Sequence, residues 1–265
     1  MLKDIYENRR MIFKLAKNDF KTRYAGSVFG TVWAFVQPLV TIAVYYFVFG
    51  YGLKGGTDTG SEVPFVLYLV SGIVPWFYFQ EGWMNGTSSL LEYSYLIKKV
   101  VFNINVLPVI KLVSASFVHL VFLCISFLLF GFFGWLPDLY YLQILYYYLS
   151  LTILLLALCY ITSAVVVLFR DLGQIINIGL QVGVWLTPIM YEPAVFFKSH
   201  PAVIQLLKIN PVYYIVNGYR DAFINKQWFW EHPRWTLYFW IVTALLLIFG
   251  KWVFERLRPH FADVL

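Results

Sequence analysis

The chain has 265 residues, of which 60% are hydrophobic and 13% charged, with a formal net charge of +6. A mean hydropathy of +0.69, with far less charge than the roughly 25% of an ordinary soluble domain, excludes a water-soluble globular protein. Six long uncharged runs and their connections take up nearly all the residues, so no room is left for a soluble catalytic domain.

Residues 2–24 read as an amphipathic helix at the membrane interface. Lys3, Glu7, Arg10, Lys14, Lys17 and Lys21 form a mainly basic stripe. Leu2, Ile5, Tyr6, Ile12, Phe13, Ala16 and Phe20 fall on a neighbouring apolar face. Such a helix buries its apolar side at the headgroup boundary while its cations meet anionic lipid or a partner. Its charge also leaves no apolar core of the kind a cleavable signal peptide carries.

Six uncharged runs follow, at 25–53, 63–80, 112–137, 139–169, 172–191 and 235–250. A spanning helix takes about 20 mainly apolar residues, because hydrocarbon satisfies no unpaired backbone group. The runs predict six spanning helices, over about 28–50, 64–83, 106–133, 139–169, 172–191 and 235–254. Between the fifth and sixth, residues 201–207 and 209–219 are apolar but too short to cross, and Pro201 and Pro211 interrupt them. They predict re-entrant or interfacial segments, which membrane depth tolerates only under protein or a water-filled cavity. The expected fold is an all-α integral membrane protein with six transmembrane helices, an N-terminal amphipathic interface helix, and re-entrant segments between helices five and six.

With the N-terminus inside, thirteen basic residues fall on the inner segments and six on the outer ones, which favours both termini in the cytoplasm. The basic rim then needs no nucleic acid to explain it. Cys124 and Cys159 lie in apolar runs and read as buried packing residues, not a disulfide.

No G-x-x-x-x-G-K-[ST] loop is present, so this chain does not itself hydrolyse ATP. It has no H-E-x-x-H, paired intramembrane carboxylates or G-x-S-x-G, which weighs against a membrane glycosyl- or acyltransferase and against a resident metal. The lack of deep carboxylates weighs equally against an ion-coupled transporter. His119 is expected as a neutral imidazole bonded to a neighbouring helix. Glu81 and Lys111, near the inner boundary, either pair or snorkel, and plain snorkelling is the favoured expectation. Aromatic residues reach 21%. Interfacial belts account for Trp76, Phe77, Tyr78, Phe79, Tyr140 and Tyr141, and the excess suits a conduit for sugars, whose C–H faces stack on rings.

Five groups of residues occur in order along the chain. The first is Arg23-Tyr24 with Ser27, Gly30, Trp33 and Pro38. The second is the Leu-Val-Ser-Gly-Ile-Val-Pro-Trp run at 69–76. The third is Lys98-Lys99-Val100-Val101-Phe102 with Leu107-Pro108, and the fourth is Phe169-Arg170-Asp171 with Thr187-Pro188-Ile189-Met190-Tyr191. The last is Asn210-Pro211 with the Tyr-Tyr-Ile-Val-Asn-Gly-Tyr-Arg run at 213–220. Together they resemble the permeases of polysaccharide ABC exporters, although Asn103 departs from the Phe-Pro-Arg turn common after Val101-Phe102.

The resemblance implies one type-2 ABC transporter transmembrane domain over residues 1–265: an interface helix at 1–24, a six-helix membrane domain at 25–254 and a cytoplasmic tail at 255–265. It implies a homodimer in the bacterial cytoplasmic membrane, with two copies of a separate ATPase that binds ATP and Mg; this chain holds no cofactor. The implied cargo is polysaccharide linked to undecaprenyl pyrophosphate. The 213–220 run looks most like the wall teichoic acid members, with O-antigen or capsular polysaccharide as alternatives. Coupling to the ATPase is expected within 88–101, at Glu92, Tyr93, Tyr95, Lys98 and Lys99. The Arg170-Asp171 turn is a second contact, or Asp171 caps the fifth helix. Trp33, Phe35, Tyr45, Trp185 and Tyr191 are the expected conduit aromatics. Arg9, Arg10 and Arg23 are the expected pyrophosphate contacts, since arginine binds such groups bidentately.

Overall fold

The computed structural model describes residues 2–52, 63–97 and 103–264. Regular structure among them is helical, as lipid requires of a segment that must close its own backbone hydrogen bonds. Four stretches are long and apolar enough to cross a bilayer: Gly30–Gly52, Ile104–Phe132, Leu139–Leu168 and Pro233–His260. This is an all-α membrane protein.

The N-terminal region forms α1 (Leu2–Glu7) and α2 (Arg9–Arg23), broken at Asn8. A 3-10 turn at Gly30–Val32 leads into α3 (Trp33–Tyr45), which widens to a π-helix over Tyr46–Gly52. Helix α4 (Phe65–Thr87) is followed by the short α5 (Ser89–Glu92) and α6 (Ser94–Ile97). Two long helices come next, α7 (Leu107–Phe132) and α8 (Gln143–Leu168). The sequence predicts a fifth helix reaching residue 191, but α9 (Leu172–Leu186) stops earlier. Thr187 precedes Pro188, whose ring disfavours helical backbone at the residue before it, and Thr187 is extended at φ −96°, ψ 113°. Three short helices fill the next segment: α10 (Pro193–Phe196), α11 (Pro201–Lys208) and α12 (Pro211–Arg220). Each starts on proline, whose missing N–H costs nothing in a first turn. Helices α13 (Pro233–Leu257) and α14 (Phe261–Val264) follow.

Helix α4 is the centre of the bundle, packed on α7, α8 and α12, with α13 on the far side of α8. Its Trp76, Tyr78 and Phe79 are buried, so the expected interfacial belt at 76–79 is corrected to core. The hydropathy of this stretch is diluted by Pro75, Gln80 and Glu81, but protein, not lipid, surrounds it. Close approach explains part of this. A Cβ on Gly86 would lie 2.2 Å from Cys159 Sγ, so α4 and α8 touch through a glycine. Cys159 is buried as expected, whereas Cys124 is exposed, on the outward face of α7 with Leu120, Val121 and Leu128. Helix α3 stands at the margin, where Ala34 is its one buried residue.

The short helices are pinned to α4 by Arg220, which is 4% exposed. Its Nη2 donates to Ile189 O at 2.8 Å, and its guanidinium lies 3.8 Å from the Tyr68 ring centroid. A Cβ on Gly72 would come within 2.9 Å of the same Nη2.

The two ends of α7 sort the remaining segments. Beyond its C-terminus, Asp138 pairs with Lys226 at 2.7 Å. Its N-terminal part meets α2 and α5, some 40 Å away at 1.5 Å per residue.

Candidate functional site: a polar groove above a charged floor

Helix α2 docks on α7 through Ile12, Ala16 and Asp19, spaced to share one helical face. Asp19 is thereby buried, with 6% of its side chain exposed. Taking a carboxylate out of water costs several kcal/mol unless it is paired, and Asp19 is surrounded by donors. Lys111 Nζ donates to Asp19 Oδ1 at 2.5 Å, Arg23 Nη2 to Asp19 Oδ2 at 3.0 Å, and Tyr93 OH to Asp19 Oδ1 at 3.1 Å. Burial opposes the Asp19 charge. Hydrogen bonds from Lys111 and Ser114, with the Lys111 and Arg23 charges, outweigh it and hold the carboxyl below its ordinary 3.8.

The same two cations reach further. Lys111 Nζ also donates to Glu92 Oε2 at 2.5 Å, and Arg23 Nη1 to Glu81 Oε1. Five charges thus form one chain, Glu92–Lys111–Asp19–Arg23–Glu81, running from α5 through α7 and α2 to α4. The expected snorkelling of Glu81 and Lys111 is corrected. Lys111 is 2% exposed, because α2 lies across the path its ammonium would take to water.

Arg23 and Glu81 also form the floor of a groove of about 680 Å³ between α3, α4 and α9. That size falls within the ~300–1,000 Å³ of ligand-binding pockets. Its walls combine Gln37, Thr41, Gln80, Asn85 and Gln181 with Tyr24, Tyr45, Trp76 and Trp185. Primary amides donate and accept at once, and aromatic rings offer apolar faces, which together suit a ligand carrying both hydroxyls and C–H surface. Among the described residues Arg23 is the one cation lining the groove, and it is already shared between two carboxylates.

Of the expected conduit aromatics, Tyr45 and Trp185 line this groove and Trp33, Phe35 and Tyr191 do not. Trp33 packs edge-on to Phe29, Phe35 rests against Phe122, and Tyr191 donates to Trp185 O at 2.8 Å. Of the expected pyrophosphate contacts, Arg9 donates to Tyr6 O at 2.8 Å, Arg10 is exposed, and Arg23 is in the charged floor. Of the expected ATPase contacts, Glu92 and Tyr93 turn towards Lys111 and Asp19, whereas Tyr95 is exposed. Lys98 and Lys99 lie outside the described residues. Arg170 and Asp171 are exposed on the turn before α9. Asp171 makes no side-chain cap, correcting that alternative, because its backbone is already helical at φ −67°, ψ −13° and an N-cap needs an extended one. His119 bonds a neighbouring helix as expected, with Nε2 3.0 Å from Tyr219 OH and its ring stacked on Tyr78.

Sequence reasoning missed Asp19, Ser114 and the groove amides. The available signal was position: Asp19 continues the Ile12–Ala16 stripe, and Gln37, Gln80 and Gln181 interrupt apolar runs that otherwise avoid such groups.

The family described as ABC-2 type transporter matches residues 10–224. The chain is 27% identical over 260 residues to an O-antigen export system permease protein RfbA of Klebsiella pneumoniae, covering 96% of this chain and 95% of that one. It is 26% identical over 264 residues to the protein of the same name from Myxococcus xanthus, covering 99% and 98%.

Proposed function

The chain belongs to the ABC-2 type transporter family, and from that premise we propose that it is the membrane subunit of an ATP-driven exporter of lipid-linked polysaccharide of the O-antigen kind. As a member of that family it is a transport subunit and not an enzyme. Two copies work with two copies of a separate ATPase, which binds ATP and Mg, in a bacterial cytoplasmic membrane. Residues 1–265 act as one membrane domain that crosses six times, with α4 and α9 as the additional spans, α10–α12 re-entrant, and both termini in the cytoplasm.

The groove carries this reading. Its amides and rings complement sugar hydroxyls and C–H faces, and the cation among its described lining residues, Arg23, is neutralised by Asp19 and Glu81. A polymer of phosphodiesters, such as teichoic acid, would need unmatched cations along its path. The curated relatives are named for O-antigen export, which supports the O-antigen alternative over the teichoic-acid expectation. Tyr45 and Trp185 serve as stacking positions. Trp33, Phe35 and Tyr191 join them on the wider path between two copies. Arg9 and Arg10 receive the carrier pyrophosphate at the membrane surface.

The charged chain supplies the coupling route. Tyr95, Lys98, Lys99 and the Arg170-Asp171 turn meet the ATPase, and motion of α5 reaches the groove floor through Glu92, Lys111, Asp19, Arg23 and Glu81. Reconstitution of the chain with its ATPase tests the proposal. Turnover should rise with undecaprenyl-pyrophosphate-linked O-antigen-type glycan and stay flat with lipid-linked teichoic acid. The reverse response would refute the choice of cargo, and failure to co-purify an ATPase would refute the transporter.

A further inference from the structure

A second cavity, of about 210 Å³, shares no residue with the groove. It lies at the opposite end of the bundle from the charged floor, near the Asp138–Lys226 pair, where Gln143 at the start of α8 bonds Gln227 O at 2.7 Å. Tyr147, Tyr213, Tyr214 and Trp235 supply its rings. It is smaller than the ~300–1,000 Å³ of pockets for drug-sized molecules, so it admits one ring and not an oligomer.

Its charges define what that ring is. Asp221 lines the cavity, is 3% exposed, and among the described residues accepts hydrogen bonds from two neutral side-chain amides, Asn225 at 2.8 Å and Asn217 at 3.3 Å. Lys208 and His232 line it too, with Lys208 Nζ 5.3 Å from the Trp235 ring centroid and His232 Nε2 3.0 Å from Gln227 Oε1. An anionic ligand would face Asp221, and a cationic one would face Lys208, each in a partly desolvated site where like charges repel strongly. A hydroxyl meets both demands, donating to the carboxylate and accepting from the ammonium. A ring bearing several hydroxyls and an apolar face fits the aromatic walls as well.

We propose that this cavity binds a single neutral sugar ring, as a saccharide subsite separate from the groove. That the sugar belongs to the exported polymer rests on the export reading. The binding chemistry does not.

Saturation-transfer NMR on the full chain with its ATPase in nanodiscs tests this. The probes are methyl glycosides of mannose, galactose and glucose, with choline and glycerol phosphate as charged comparisons. A saturable signal is expected from at least one glycoside and from neither charged probe. With the groove silenced by Trp185→Ala, Asp221→Asn and Trp235→Ala should each weaken the remaining signal tenfold or more, while Leu128→Ala on the outward face of α7 leaves it in place. Absence of any glycoside signal, preference for a charged probe, or survival of the signal in both cavity variants overturns the proposal. If Asp221→Asn fails to assemble, Tyr213→Ala, at a half-buried position, replaces it with the same reading. Failure of the export reading looks different: glycosides still bind, but lipid-linked glycan does not change ATP turnover.

Discussion

Lys111 Nζ lies 2.5 Å from Asp19 Oδ1, joining side chains 92 positions apart in the sequence. Neither group has enough access to water to stand alone, so each makes the other's burial tolerable. Lys111→Met should destabilise the chain, but by less than the ~3–5 kcal/mol of a fully unpaired buried charge, because Arg23 and Tyr93 still bond Asp19. Thermal unfolding in detergent measures it. The Asp19→Asn/Lys111→Met double variant should lose clearly less than the sum of the single losses, because the two residues share one interaction.

Acid should weaken the same contact. The folded-state value of Asp19 lies below its ordinary 3.8, so its contribution is complete above that ordinary value and disappears as pH falls through the depressed one. Melting temperature should therefore decline below about pH 4. Asp19→Asn should start lower and show a shallower decline over that range. Equal slopes for the two proteins would remove Asp19 from the acid response.

In the groove, Trp185→Ala should lower glycan-stimulated ATP turnover of the complex roughly two- to tenfold, matching the ~0.5–1.5 kcal/mol of one stacked contact. Gln181→Leu should remove about one hydrogen bond, near 1 kcal/mol. Both variants should retain unstimulated turnover and assembly. Stimulation equal to wild type in both would argue that sugars do not use this groove.

Glu92→Gln breaks the charged chain at α5 without touching the groove. Glycan should still bind, yet its stimulation of ATP turnover should fall up to several-fold, since Glu92 is half exposed and a solvent-screened ion pair contributes about 0.2–1 kcal/mol. Tyr95→Ala should instead weaken retention of the ATPase during purification. Loss of glycan binding in Glu92→Gln would place that residue in substrate recognition.

Sidedness is testable by thiol labelling after Cys124, the exposed cysteine, is replaced. Leu136→Cys and Lys226→Cys should react with an impermeant reagent from outside intact cells, and Asn18→Cys only after permeabilisation. Asp138 and Lys226 form one contact at one end of the bundle, so opposite behaviour of Leu136→Cys and Lys226→Cys would contradict the fold.

The long apolar runs were legible because lipid leaves a chain few choices, and α7, α8 and α13 lie close to where hydropathy puts them. Helix α4 was legible in extent but not in surroundings: an apolar helix reads the same whether lipid or other helices cover it. The early end of α9 was written in Thr187-Pro188. Asp19 escaped because a carboxylate on an amphipathic helix ordinarily marks its wet side, and only the docking of α2 on α7 makes it a buried partner. The groove amides escaped for a related reason, since single glutamines say nothing of convergence until three helices bring them to one space.

The notch that Gly72 leaves for Arg220 ties positions 68, 72 and 220 into one heritable unit. Alanine at 72 crowds the guanidinium out of its seat over Tyr68, and a shorter residue at 220 leaves a hole beside the glycine. A library randomised at all three sites and selected for assembled protein should return matched sets, small beside large, with mixed combinations rejected.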